Sequence, residues 1–244
     1  MQVVLLRVGI DTGSGGMHGP LFRDGSFEYL PIPDNFGNGR KGIDERTYGN
    51  SVSRRGEPLV SYFPEGRRAE MRDKPMHFDP EFIAFTYGDP VRRGPKRSLA
   101  KLAAGDILVF YAGLKGLDFD CPAALHIIGY FEVTAAGFAN EFSRKELSEL
   151  FASNFHVRHQ AVFEEQKDRL ILVKGGDGSR LLHKAVCISI PGKNSAGRLM
   201  YRLSLEMQQI FGDFDGKTGF PRSTPRRVLP QFTERAADFV RSLE

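Results

Sequence analysis

The sequence predicts an α+β fold: one domain over residues 1–244, with a curved, mixed, mostly antiparallel and partly barrel-like sheet flanked by a few helices. Three observations point to it. Strand-like runs outnumber helical ones and rarely alternate with them, which disfavours a doubly wound parallel sheet. The two clearest runs, DILVFYAGL (106–114) and AALHIIGYFEV (123–133), follow one another as an antiparallel hairpin with a long connection. A chain of 244 residues buries enough apolar surface to need neither a disulfide nor a metal for its core.

The elements follow in order. Residues 2–9 (QVVLLRVG) form a β-branched apolar run ended by glycine, so a buried first strand is expected there rather than a secretion signal. A glycine-rich loop leads to a short strand at 27–32. Residues 34–56 are polar and glycine-rich without a period, the signature of a functional or mobile loop. Further strands are expected at 59–63 and 82–87. Ser98 is placed to cap a short helix, SLAKLAA, that ends at Gly105. This helix leading into GDILVFY, then a strand carrying GYFEV, looks like the hairpin of PUA-like base-binding barrels. Ser143 and Glu146 form a capping box at the start of a helix. Strand-like runs return in DRLILVKGG and RLLHKAVCISI, joined by a tight glycine turn. A helix over about 199–211 and a terminal helix from Thr233 complete the chain.

Composition excludes several classes. No apolar run reaches the length of a membrane span, so a soluble, cytoplasmic protein without membrane contact is expected. Cys121 and Cys187 sit far apart beside apolar residues, the pattern of two buried thiols in a reducing compartment. No Cys/His spacing matches a zinc site, so neither metal nor cofactor is expected. Lysine and arginine (34) exceed aspartate and glutamate (30) by only 4, so net charge says little. Arginine placement says more. Arg54–Arg55, Arg67–Arg68, Arg92–Arg93 and Arg226–Arg227, with Lys96–Arg97, sit in Gly- and Pro-rich segments suited to phosphate contact or to ordinary solvated surface.

Five clusters could carry chemistry. In VGIDTGSGGMHGPLF (8–22), Asp11, Thr12, Ser14 and His18 share a glycine-rich loop. It suits a sugar or base held close to the backbone, and a turn aspartate bracing its own amides is the alternative. It lacks the Gly-Lys-Ser/Thr of a P-loop. In GIDERTYGN (42–50), Asp44, Glu45 and Arg46 could serve acid–base work while Tyr48 stacks on an extruded base; a surface ion pair is the alternative. In NFHVRH (154–159), Asn154, His156 and Arg158 share one face if the segment is extended, with the first two on a base edge and the arginine on a phosphate. In LVKGGDGSRLL (172–182), Lys174, Ser179 and Arg180 flank a glycine turn that could hold an anion, or simply close a hairpin. In HFDPEF (77–82), His77, Asp79 and Glu81 surround an Asp-Pro step, and a turn is the favoured reading.

Taken together, LLRVGIDTGSGGMHGPLFRDGSFEYLPIPD, GDILVFYAGL…IIGYFEV and NFHVRH…DRLILVKGG…SRLL resemble the nucleotide-modification-associated domain 3 family over most of the chain. The resemblance implies work on hypermodified DNA bases beside phage-defence functions. It points to a metal-independent, monofunctional DNA glycosylase that removes glucosylated hydroxymethylcytosine from phage DNA. A non-catalytic reader of modified DNA bases, or a hydrolase or transferase of modified nucleotides, is the alternative. The partner implied is double-stranded DNA carrying modified bases, with no obligate protein partner. On that reading Asp11 stabilises the charged sugar, with Asp44 or Glu45 the next candidates. Asn154 and His156 hold the departing base. Thr12, Ser14, His18, Arg46, Tyr48 and Arg158 contact substrate. Lys174, Ser179, Arg180, Arg92 and Arg93 contact phosphates.

Overall fold

The computed structural model describes residues 1–12, 14–34, 46–193, 196–197, 199–221 and 224–244. Asp44 and Glu45 therefore lie outside the described residues. The chain begins with β1 (Val3–Arg7), β2 (Gly19–Leu21) and β3 (Ile32–Pro33), then α1 (Glu65–Arg72), β4 (Met76–His77) and β5 (Thr86–Pro90). The long strands β6 (Ile107–Gly116) and β7 (Ala124–Phe138) follow, then α2 (Arg144–Leu150), α3 (Phe155–Arg158) and α4 (Gln160–Gln166). The last part holds β8 (Leu170–Gly175), β9 (Arg180–Cys187), β10 (Ser189–Lys193), β11 (Leu199–Leu203), α5 (Leu205–Phe211), β12 (Arg226–Arg227) and α6 (Pro230–Arg241).

The main sheet runs β12–β1–β6–β7–β8–β5, with β2 beside β6 and β9 beside β7. Only β1 and β2 lie parallel to a neighbour, β6 in both cases, so the sheet is mixed and mostly antiparallel, as expected for this α+β chain. Val3–Leu6 carry no polar alternation because β1 is buried throughout them, between β6 and β12. Helices α5 and α6 contribute Met207, Phe211, Ala236, Ala237 and Val240 to the same core. The partly barrel-like expectation reduces to a curl. Register shifts along β7 bend the sheet. Tyr87 of β5 thereby packs on Phe110 of β6, ring centroids 5.9 Å apart. The edge strand thus folds over the middle of the sheet without closing it.

Several local expectations are corrected. Residues 59–62 form a 3-10 turn rather than a strand, set between Pro58 and Pro64; its apolar side chains fill a second cluster with Tyr48, Met71 and Met76. A short apolar run does not by itself distinguish the two. The 82–87 strand shifts to Thr86–Pro90, because Glu81 folds back and accepts the Ala84 amide at 2.9 Å. The Ser98 helix is a 3-10 segment over Pro95–Lys101, in which Ser98 donates to the Pro95 carbonyl instead of capping. The 199–211 helix splits at Ser204. Its hydroxyl caps α5 by accepting the Met207 amide at 3.2 Å, and Leu199–Leu203 pairs with β10 instead. The terminal helix starts at Pro230, a residue suited to a first turn.

The glycine turn after β8 does not close a hairpin. Strands β8 and β9 both run antiparallel to β7, against successive stretches of it. Between them the chain makes an excursion, in which Gly176 donates to the Glu132 carbonyl at 2.8 Å and the Ser179 hydroxyl accepts the Glu132 amide at 3.0 Å. Those bonds replace the missing ladder rungs. The cysteines are free but not buried pairs of thiols: Cys121 is half-buried and Cys187 exposed. The Ser143–Glu146 capping box is present at α2. Among the described residues, no helix is long and apolar enough to cross a membrane.

Candidate active site

One cleft of about 330 Å³ opens where β1 ends, bounded by β5 and floored by β4 and α3. That volume lies at the lower end of small-ligand pockets and suits a single nucleotide. Its first wall is the loop after β1. There the Asp11 carbonyl accepts the amides of Ser14, Gly15 and Gly16 at 3.1, 2.9 and 3.0 Å. The Asp11 carboxylate accepts the Ser14 amide at 3.0 Å and its hydroxyl at 3.1 Å, and lies 3.4 Å from Arg7. Glycine is required at position 15, where a Cβ would fall 2.0 Å from Ile10 Cγ1. The loop's amides therefore turn inward on Asp11, so they do not form a cradle for an incoming anion. Asp11 and Ser14 still line the cleft.

The floor comes from three separate segments. Strand β4 and the residues after it bring His77 and Asp79, and α3 brings His156. The Asp79 Oδ2 stands 3.3 Å from His77 Nε2 and 3.0 Å from His156 Nε2, and the two histidine Nε2 atoms are 3.1 Å apart. Asp79 Oδ1 accepts the Gly88 amide of β5 at 2.7 Å. His156 Nδ1 bonds Gln166 Oε1 at 2.6 Å, and the His77 ring lies on Phe155 with centroids 4.1 Å apart. Gly88 has no room for a side chain: a Cβ would meet His156 Cδ2 at 2.7 Å and Asn154 Oδ1 at 2.9 Å. Burial opposes charge on Asp79, but its bonds to His156 and His77 outweigh burial and lower its pKa. Burial opposes charge on His156 too, and there the Asp79 bond prevails, raising the pKa. Beside this floor, Asp89 accepts the Tyr87 hydroxyl at 2.8 Å and pairs with Lys96, and all three line the cleft.

The NFHVRH expectation fails in its geometry. Asn154 is the N-cap of α3, so Phe155–Arg158 are helical and the three side chains do not alternate on one face. The Asn154 side chain is fully buried, accepting the His156 amide at 3.1 Å, and does not reach a base. Arg158 is exposed, beside His159 at 3.1 Å. Tyr48 is fully buried with its hydroxyl donating to the Pro31 carbonyl at 2.6 Å, which removes it as a stacking platform. Arg46 lies 4.0 Å over the Phe78 ring, next to the floor. Thr12 and His18 stand outside the cleft lining, His18 Nε2 lying 3.4 Å from the Tyr201 hydroxyl.

The β8–β9 cluster is likewise occupied internally. Lys174 donates to the Ala84 carbonyl, Ser179 is buried, and Arg180 lies 5.8 Å over Tyr130. Of the arginine pairs, Arg54 donates to the Leu182 carbonyl and Arg68 to that of Phe63, while Arg226 grips Gly219. Arg92 and Arg93 are exposed, just beyond the β5 end that lines the cleft. Sequence reasoning passed over Arg7 and Asp89, placed Lys96 only among the basic groups suited to phosphate, and read His77 and Asp79 as turn residues. The His-x-Asp spacing, which sets both side chains on one face of an extended segment, is the signal that could have found the last two.

Acid, base and cationic side chains converge in one cleft on a curled α+β sheet, which makes it the candidate small-ligand site of this chain. Residues 2–241 match the model of the family described as nucleotide modification associated domain 3, and the chain belongs to that family. No curated protein and no solved structure matches the chain. Family membership ties it to nucleotide modification.

Proposed function

We propose that the protein is a DNA glycosylase that excises a hypermodified base, glucosylated hydroxymethylcytosine, from phage DNA inside the cell and leaves an abasic site. The observation that supports this reading is the convergence of Asp11, Asp79, Arg7 and Lys96 in one cleft of about 330 Å³, large enough for one extruded nucleotide. Hydrolysis joins a water oxygen to C1′ while the C1′–N bond breaks. The bonding pair leaves with the base, which gains a proton as the water loses one. Positive charge grows on the deoxyribose in that step, and a carboxylate held beside it stabilises the transition state more than the ground state. Asp11 serves this role, and the histidine–aspartate floor holds the water. Arg92 and Arg93 contact the phosphates beside the cleft.

The test is incubation of phage DNA carrying glucosylated hydroxymethylcytosine with excess protein, followed by mass spectrometry of released bases and alkaline cleavage of abasic sites. Free glucosylated base with matching strand breaks is the expected result. Intact DNA overturns the reading, and tight binding without release makes the protein a reader of modified bases. Binding should weaken steeply with salt, and Arg92→Glu with Arg93→Glu should lower the salt slope by about 2, one released counterion per lost contact.

A further inference from the structure

We infer that His77, Asp79 and His156 form a binding site for one divalent transition-metal ion, open to the cleft. The three candidate ligand atoms, all within 4.8 Å of one another, form a compact triangle with edges of 3.0, 3.1 and 3.3 Å. An ion held at about 2.1 Å by nitrogen and oxygen ligands, at octahedral or tetrahedral angles, sets its ligand atoms roughly 3.0–3.4 Å apart. The edges of the triangle therefore match those of such a ligand set. Two imidazoles and one carboxylate select zinc, iron(II), cobalt or manganese over calcium and magnesium, which take oxygen ligands.

The surrounding bonds orient each ligand as metal sites require. The Gly88 amide occupies Asp79 Oδ1 at 2.7 Å, leaving Oδ2 for the ion. Gln166 Oε1, 2.6 Å from His156 Nδ1, holds the ring with its Nε2 toward Asp79 Oδ2. A single ion satisfies all three short contacts at once. Three protein ligands that form the floor of a cleft leave further coordination positions for water or substrate, the arrangement of catalytic rather than structural sites.

What the ion does rests on the excision reading. With the ion in place, its water would lose a proton to solvent near neutral pH, and the hydroxide would attack C1′ as the base departs with the bonding pair and takes one proton from solvent, one water being consumed. Binding of the ion does not rest on that reading and is measured without DNA. The full chain, stripped with chelator, is titrated with cobalt(II) by visible absorption and with zinc(II) by calorimetry. One ion per chain is expected, together with a higher melting temperature on loading. Gln166→Ala should lower affinity about 10- to 100-fold and the near-isosteric Asp79→Asn by more, while Cys187→Ser leaves it unchanged. On the unsubstituted chain loaded with copper(II), electron paramagnetic resonance should show coupling to two imidazole nitrogens, a readout independent of any variant's folding. Absence of binding, retention of full affinity in Asp79→Asn, or a spectrum without imidazole coupling would overturn the site and leave a hydrogen-bonded triad only. An ion that binds as described in a protein that releases no base removes the excision reading and keeps the metal site.

Discussion

Two aspartates line the same cleft in opposite ways. Asp11 sits in the most conspicuous stretch of the sequence, yet its carboxylate is engaged by residues no more than 4 positions away, Ser14 and Arg7. Asp79 sits in an inconspicuous turn, yet its partners come from β4, β5 and α3, segments up to 77 residues away. A dense local cluster tends to satisfy itself, because neighbouring amides and hydroxyls reach a carboxylate at small entropic cost. A carboxylate assembled from distant elements is held by their packing instead, and Asp79 keeps one oxygen on a backbone amide and the other on two imidazoles at the cleft floor.

The largest test of that contrast compares Asp79→Asn with Asp11→Asn in single-turnover base release. Asp79→Asn should lower the rate about 1,000-fold, within the range of a lost acid–base or water-holding group. Asp11→Asn should cost about 10- to 100-fold while DNA affinity is kept, the mark of a group acting on transition-state charge. Equal losses break the comparison, and near-normal turnover in Asp11→Asn assigns Asp11 to bracing the loop alone.

A smaller effect is expected from Gly88→Ala. Its Cβ would press on His156 Cδ2 at 2.7 Å, forcing the ring away from Asp79. Base release should fall about 10-fold or more, with a stability loss of about 1–3 kcal/mol for the overpacked strand. Full activity at unchanged melting temperature would show that the floor tolerates movement, and the geometry argument would fail there.

The smallest test asks what the carboxylate does for a buried histidine. His126, on β7, is also buried and bonds the Ala124 carbonyl at 3.1 Å, but burial prevails and its pKa falls below 6.5. A histidine depressed in the folded state takes up its proton first in the unfolded chain. Stability is therefore full above about 6.5 and declines as pH falls toward the folded value. Denaturant unfolding measured from about pH 7.5 to about pH 5 should show this acid limb, and His126→Gln should flatten it. A limb of the same slope in the variant would assign the loss to other groups.

Much of the architecture was legible locally. The β6–β7 pair announced itself by two long apolar runs and α2 by the reciprocal bonds of Ser143 and Glu146, and a terminal helix was expected where α6 lies. Where reading failed, the deciding pairing lay outside the segment being read. Ser204 could sit inside a helix or begin one, and only the pairing of Leu199–Leu203 with β10 chose. The turn at Gly176–Ser179 reads as a hairpin until β7 is seen to occupy the partner position of both β8 and β9.

The sequence by itself determined the class of fold, because alternation and length of apolar runs fix which faces must be buried. It also carried the family in its long matching stretches. The order of strands, the curl that lays β5 over β6, and the meeting of His77, Asp79 and His156 were decided only by tertiary structure. The reason is physical: periodicity reports whether a side chain faces a core, but not which distant side chain it will meet. That meeting depends on how register shifts in β7 bend the sheet and on where Gly88 leaves room for an imidazole.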